Sequence, residues 1–352
     1  MNKSILFFGE LPPKTIHGVS ISNKINIDVL KTVHSLVLIE EYSALKFHNK
    51  PSLSKIICFF KALFSFFAEL FKQRFDIFYG VVYLSTFGIL KNFLVLILFK
   101  SVNPNSEVIL HFHRSDFNIF YKSFINKLLF KAINRLTTKF IVISQKQFND
   151  LPINFCKKEV LFNSIDEHSL QSLSRKQSSK MLNFVFLGNY SHEKGFFDVI
   201  DGIKLFNNNN SVKVSLNCYG DFLYQKDSME IRNITDDYIQ INNVIYGIEK
   251  YQMLQNADLL IAPSYNEGMP LVILESMYLG LPILTSKVGY ITEALGEDYP
   301  LFCQAGDLNS IINGIKNFME IDRLALSNRL TTSYEKFSAE IHDKRLLEIF
   351  EQ

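Results

Sequence analysis

Short apolar runs rich in β-branched and aromatic residues alternate along the chain with longer stretches of helical period. In the first half, runs beginning at Ile5, Leu36, Ile77, Val108, Phe140 and Val160 predict strands, with helices between them. The second half repeats the pattern, with strands near Phe184, Val212, Val244, Leu259, Ile283 and Pro300. Such alternation predicts βαβ units and a parallel sheet in each half. Between the halves, Asp166 to Lys180 is polar and rich in Ser, Gln and Lys, the composition of a linker. The expected organisation is a first domain over 1–165, a linker over 166–180 and a second domain over 181–333. A C-terminal helix over 334–352 is expected to pack back on the first domain.

Two segments depart from the ordinary one-sided helix. Lys55 to Lys72 places Cys58, Lys61, Ser65, Glu69 and Lys72 every three or four residues, which leaves a narrow polar stripe and a wide aromatic face. It is too short and too interrupted for a membrane span, and it fits a core-facing helix or one lying on a bilayer surface. Tyr121 to Arg135 is a second basic amphipathic stretch. Val81 to Phe99 is apolar but broken by Gly88, Lys91 and Asn92, and it predicts a strand end, a loop and a helix.

Length and composition add bounds. The 352 residues suit two domains, and 47% hydrophobic with 20% charged residues excludes a disordered chain. Cys58, Cys156, Cys218 and Cys303 fit no zinc spacing and are expected to be reduced, buried thiols of a cytosolic protein. Met1 to Gly9 lacks the parts of a signal peptide and predicts a first strand. Residues 1–165 carry 21 Lys and Arg against 10 Asp and Glu, whereas residues 166–352 carry 16 against 25. The basic half points to an anionic partner, a phosphorylated acceptor or an acidic bilayer; no nucleic-acid motif accompanies the charge.

Sheets of this kind take ligands at the carboxyl ends of their strands, and two such domains face each other across a cleft. The strongest chemical signal lies after one strand: Ala262-Pro-Ser-Tyr-Asn-Glu-Gly-Met-Pro-Leu-Val-Ile-Leu-Glu275. Pro270 suits the first position of a helix that runs to about Leu279 and ends at Gly280. The N–H groups at that helix start favour an anion, and Gly268 permits close backbone approach. Glu267 at the mouth and Glu275 in the second turn suit the role of acceptors for hydroxyl groups, such as those of a sugar and a ribose.

This segment resembles the E-x7-E motif of the family 4 retaining glycosyltransferases, enzymes of the GT-B fold. By that resemblance Glu267 contacts the donor sugar and Glu275 the nucleotide ribose. Gly188-Asn-Tyr-Ser-His-Glu-Lys-Gly195 resembles the family's G-R-L-x-x-x-K-G turn, with Lys194 over the donor diphosphate and Asn189 where the family has Arg. Thr285 to Glu293 resembles a further loop, with Tyr290 in place of a glycine, and Tyr219-Gly-Asp221 resembles the turn beside the nucleotide base. In the first domain Gly18 fits the family's glycine loop, and His113, at the end of the fourth strand, matches its histidine; His111 lies on the same face. Lys14 and Arg114 are candidate phosphate contacts. Ser144 and Asn163-Ser-Ile-Asp166 also echo family positions.

The resemblance implies catalytic roles for Lys194, Glu267 and His113. It implies donor contacts at Gly18, Gly188, Asn189, Gly220, Gly268, Met269, Leu271 and Glu275. The fold class expected is α/β, with two Rossmann-like doubly wound domains facing a cleft. The expected activity is transfer of a sugar, with retention, from a nucleotide-sugar donor to a glycan or polyprenyl-diphosphate-linked acceptor. Bacterial surface polysaccharide assembly at the cytoplasmic face of the membrane is the expected setting. No cofactor or metal is expected, because no Asp-x-Asp motif follows a strand and Asp236-Asp237 lies in a polar run. Two other readings stay open: a non-catalytic nucleotide-sugar-binding protein, and a sugar-nucleotide epimerase or phosphorylase on the same fold. A dehydrogenase is disfavoured because no strand leads into G-x-G-x-x-G.

Overall fold

The computed structural model describes residues 2–41, 53–152, 157–171, 181–222, 231, 234 and 236–351. These fall into two compact units. The first takes 2–41, 53–152, 157–164 and 339–351, and the second takes the described residues from 165 to 338.

In the first unit, β1 (Ser4–Gly9), β2 (Ser35–Glu40), β3 (Ile77–Val81), β4 (Glu107–His111), β5 (Lys139–Val142) and β6 (Lys157–Val160) form one parallel sheet in the order β2-β1-β3-β4-β5-β6. Its inner strands β1, β3, β4 and β5 are largely buried and apolar on both faces, as a sheet covered on both sides requires. Strand alternation divides the core. Leu6, Phe8, Phe78, Leu110 and Phe140 point to the helices Leu53–Lys72, Thr86–Val102 and Phe124–Leu136. Ile5, Phe7, Ile77, Tyr79 and Ile109 point to the helices Gly18–Leu30 and Ala339–Glu351.

That C-terminal helix buries Leu346, Ile349 and Phe350 completely, about 1.5–3 kcal/mol for each side chain. Its last carbonyls are not left unpaired: Lys3 Nζ donates to Phe350 O at 2.7 Å and Lys139 Nζ to Ile349 O at 3.0 Å. Only residues from Ala339 onward join the first unit. Tyr334, expected to open the returning helix, ends the helix Arg323–Tyr334 of the second unit.

In the second unit, β7 (Leu182–Leu187), β8 (Val214–Tyr219), β9 (Ile239–Asn242), β10 (Leu259–Ala262), β11 (Ile283–Ser286) and β12 (Phe302–Cys303) form a parallel sheet in the order β12-β11-β10-β7-β8-β9. Residues expected as linker begin with a short helix, Glu167–Gln171, where Glu167 Oε1 accepts from the Tyr334 hydroxyl at 2.7 Å. The rest of that stretch, 172–180, lies outside the described residues.

Two strand positions correct the sequence expectation. Val160 ends β6 and does not open it, and β9 finishes before Val244. Both are edge strands, where polar residues such as Lys157, Lys158 and Gln240 replace the apolar run that marks a buried strand. Cys218 and Cys303 are buried free thiols, and burial pushes the Cys303 thiol up to about 12 and the Cys218 thiol up as well. Cys58 is half-buried, and Cys156 lies outside the described residues. Among the described residues no helix is long and apolar enough to cross a membrane.

Each sheet reverses its winding once, between β1 and β3 and between β7 and β10. At such a point the loops beyond the strand ends splay to opposite faces and leave a crevice, the place where open α/β sheets bind ligands.

Candidate active site

The crevice of the second sheet is built from the loops that follow three neighbouring strands, β7, β10 and β11. After β10 the chain passes Pro263 and Ser264 to Glu267, and the helix Leu271–Tyr278 begins four residues beyond Glu267. Pro270 is the N-cap in extended conformation (φ −66°, ψ 132°), one position earlier than the sequence predicts, and no side chain caps the helix. The first-turn N–H groups are therefore free of a capping side chain, and the helix dipole adds positive potential for an anion. The helix ends at Tyr278, with Gly280 in the left-handed region (φ 63°).

Glu267 is fixed from two sides. Lys194 Nζ lies 2.6 Å from Glu267 Oε1, and Ser264 Oγ donates to the same oxygen at 2.8 Å. Lys194 arrives from the single 3-10 turn His192–Lys194 that follows β7. A small cavity of about 60 Å³ lies here, lined by Gly188, Lys194, Ser264, Glu267, Pro270 and Thr285 among others. It has room for a small group and not for a nucleotide.

The loop after β11 supports Glu267 from behind. Gly289 has φ 59°, and a Cβ there would stand 1.8 Å from Glu267 O. Only glycine serves at that point, on both conformational and steric grounds. Tyr290 N donates to Gly268 O at 3.1 Å, so this loop holds the backbone on either side of the Glu267–Gly268 bond. Gly268 itself is outside the left-handed region.

Glu275 is 2% exposed, and Lys250 Nζ, from the helix Gly247–Gln255, pairs with its Oε1. Removing a partner from a buried pair typically costs about 3–5 kcal/mol, because the charge left behind has lost its solvation. No local signal ties Lys250 to this site: it lies 25 residues from Glu275, on another helix. Ser264 is likewise a missed contact, although it lies inside the quoted motif.

The ends of β7 and β8 are joined. Gly188 N donates to Tyr219 O at 3.1 Å and Tyr190 N to Asp221 O at 2.9 Å. A Cβ on Gly220 would stand 1.9 Å from Gly188 O, which explains the glycine without any ligand. Asn189 is half-buried, and its carbonyl accepts from Ser191 N at 2.9 Å. Met269 and Leu271 have buried side chains, so what they offer a ligand is backbone.

The first unit has a crevice of different chemistry. β4 stops at His111, and His113 lies two residues beyond the strand and not within it. The two rings lie on one side, with centroids 4.0 Å apart. Asn26 Nδ2 donates to the Tyr79 hydroxyl at 2.8 Å, and that hydroxyl contacts His111 Nδ1 at 3.0 Å. With its oxygen accepting, Tyr79 donates to Nδ1, which puts the proton of neutral His111 on Nε2. Burial holds the pKa of His111 well below the usual value. Burial, reinforced by His17, holds His113 down to about 3. Among the described residues neither Nε2 has a hydrogen-bond partner.

Gly18 opens the helix Gly18–Leu30, capped by the His17 side chain, and a Cβ there would meet nothing within 4 Å. Lys14 pairs with Glu40 at 2.8 Å, and Arg114 with Asp116. Both cations stay more than half exposed in these pairs. Ser144 caps the helix Gln145–Asp150, and Asn163 Oδ1 accepts from Ser22 Oγ at 3.2 Å; both positions have local structural roles.

Comparison with known proteins meets this geometry. Residues 171–336, nearly all of the second unit, match the family described as glycosyl transferases group 1. Glycosyltransferase TuaC of Bacillus subtilis, named for teichuronic acid biosynthesis, is 23% identical over 38% of this chain; the match spans 32% of TuaC, about a third of its length. The O-antigen biosynthesis glycosyltransferase WclY of Escherichia coli is 23% identical over 77% of this chain and 75% of its own. The crystal structure of HepE from Anabaena, in complex with UDP and glucose, superposes with a TM-score of 0.74 at 16% identity, covering 100% of both chains. The fold is GT-B: α/β, with two doubly wound domains, and the second unit carries the group 1 glycosyltransferase match.

Proposed function

We propose that this chain transfers a sugar, with retention, from a nucleotide-sugar donor to a glycan acceptor of surface polysaccharide assembly. The observation that carries the reading is the Lys194–Glu267 pair, 2.6 Å apart, beside the uncapped start of the helix Leu271–Tyr278. An anion seated at that helix start lies next to a lysine able to stabilise charge as it develops. Glu267, already oriented by Ser264 and Gly289, offers its other oxygen to a donor hydroxyl, and Glu275 takes the ribose.

In the step itself, the bond from the anomeric carbon to the donor phosphate oxygen breaks and a bond to the acceptor oxygen forms on the same face. The acceptor proton passes to the leaving phosphate. Lys194 and the helix N–H groups take up that phosphate's charge, so the positions of groups and not a protein base drive the reaction. Neutral His113 supplies a hydrogen bond to the donor sugar or the acceptor. The donor contacts of the second unit are Gly188, Asn189, Gly220 and Gly268 with the backbone of Met269 and Leu271. The reaction needs no metal. The acceptor is a polyprenyl-diphosphate-linked glycan at the cytoplasmic face of the membrane, a reading that the names of TuaC and WclY and the basic first half support.

Binding of UDP, GDP, ADP and CMP in the presence of a chelator tests the donor site. One nucleotide is expected to bind, about tenfold or more weaker in Glu275→Ala and Lys194→Ala. A folded protein that binds none of the four overturns the reading. A second reading, donor binding without transfer, is favoured by one observation, the neutral Asn189 at the position where the resembled family has a cation. Tight donor binding with no product from lipid extract, and product restored in Asn189→Arg, would select it.

A further inference from the structure

The helices on one face of the first sheet have two apolar sides. Along Leu53–Lys72, Phe59, Ala62, Phe66 and Leu70 are buried against the sheet. A second stripe, Phe60, Phe64, Phe67 and Phe71, recurs at the same helical spacing and stays exposed, Phe64 at 76% and Phe71 at 73%. The neighbouring helix Thr86–Val102 repeats this: Ile89, Val95 and Phe99 are buried, while Phe87, Leu90, Leu94 and Ile97 are exposed. The third, Phe124–Leu136, buries Phe130 and Ile133 and exposes Phe124 (79%), Ile125 and Leu128. All three rest on the same core cluster, the first two joined by the Phe59–Phe87 ring contact. A surface helix ordinarily shows water a polar side. An apolar patch spread over three adjacent helices marks a surface with a partner.

Charge decides which partner. Segments 53–72, 86–102 and 117–136 together contain nine Lys and Arg and one acid, Glu69, which pairs with Lys72. Lys61, Lys122, Lys127, Lys131 and Arg135 are exposed beside the bare side chains. Protein interfaces are depleted in lysine at their cores, whereas an anionic bilayer takes aromatic and leucine side chains below its headgroups and lysines at them. None of these helices is a membrane span, so the contact is with one leaflet.

We propose that the outer faces of the helices Leu53–Lys72, Thr86–Val102 and Phe124–Leu136 form a docking surface for an anionic lipid bilayer. The aromatic stripe inserts to headgroup depth and the lysines engage lipid phosphates. The surface belongs to the first unit and the donor cavity to the second, so lipid binding and donor binding stand or fall separately.

The test is co-sedimentation of the full chain with vesicles of phosphatidylcholine alone and with phosphatidylglycerol added. Variants are Phe64→Ser with Phe71→Ser, and Lys127→Glu with Lys131→Glu. Thermal unfolding serves as the control for fold, and molar mass is measured by light scattering. Expected are binding to the anionic vesicles only, release by high salt, and about tenfold or greater weakening in each double variant with an unchanged unfolding midpoint. Wild-type protein left in the supernatant with anionic vesicles overturns the proposal. So does a concentration-dependent dimer that the phenylalanine variant dissociates while vesicle binding is absent, because the face would then serve a second copy of this chain.

Discussion

The two sheets share a topology and differ in what they place at their winding reversals. Beyond β7 and β10 the groups are charged and paired: Lys194 with Glu267, Lys250 with Glu275. Beside the first reversal, at the end of β4, are two histidines kept unprotonated by burial, His111 and His113, with Tyr79 and Asn26 beside His111. Topology therefore settles where a ligand goes and not what it is. The charged crevice has the lysine and helix start that an anion needs. The two buried histidines offer hydrogen bonds without charge of their own, which suits the hydroxyl groups of a sugar.

The largest effect should come from breaking the charged crevice at its centre. Glu267→Gln keeps the size and the Ser264 contact but removes the charge that holds Lys194, and transfer to the acceptor should fall by roughly 10²–10³. The measurement is product formation at saturating donor; a loss of less than tenfold would place the essential carboxylate elsewhere. Gly289→Ala comes next. It forces a Cβ into Glu267 O at a left-handed position, and should destabilise the second unit by about 2 kcal/mol or more. Denaturant unfolding checks it, and an unchanged midpoint would mean that the loop yields.

At the buried histidines of the first unit the effect is on pH dependence. The unfolded chain binds a proton at His113 near 6.5, the folded chain only near 3. Between these values the unfolded state holds more protons, so stability is greatest above 6.5 and falls with acid, by about 1 kcal/mol per pH unit for this one group. His113→Asn should flatten the decline between pH 6.5 and 5 measured by thermal unfolding. An unchanged slope would mean that His113 protonates freely in the folded protein. The smallest effect belongs to Gly18→Ala, which fills open space at a helix start and should shift stability by no more than about 0.5 kcal/mol, upward if at all. Loss of transfer in that folded variant would reserve Gly18 for close approach of the donor.

The sequence marks Glu267 and Glu275 because one strand, one loop and one helix carry both, and local spacing is visible along a chain. Lys194 is marked in the same way, by its own turn after β7. Lys250 is invisible, since nothing local ties it to a carboxylate 25 residues away. The edge strands β6 and β9 blur for the complementary reason: with one side unpaired they need no continuous apolar run. Arg114 and Lys14 are marked by charge alone; the fold adds that each is exposed and paired with a nearby carboxylate.

By itself the sequence determined the βαβ order, the presence of two sheets, the E-x7-E segment and the uneven charge of the halves, all consequences of periodicity and local spacing. Tertiary structure alone decided that Ser264 and Lys194 converge on one oxygen of Glu267, that Gly289 must be glycine, and that Lys250 neutralises Glu275. It also decided that three apolar helices each keep one side uncovered. Hydrophobic pattern says that a helix has two apolar stripes, but only packing against the sheet determines which of them is consumed by the core and which is left facing out.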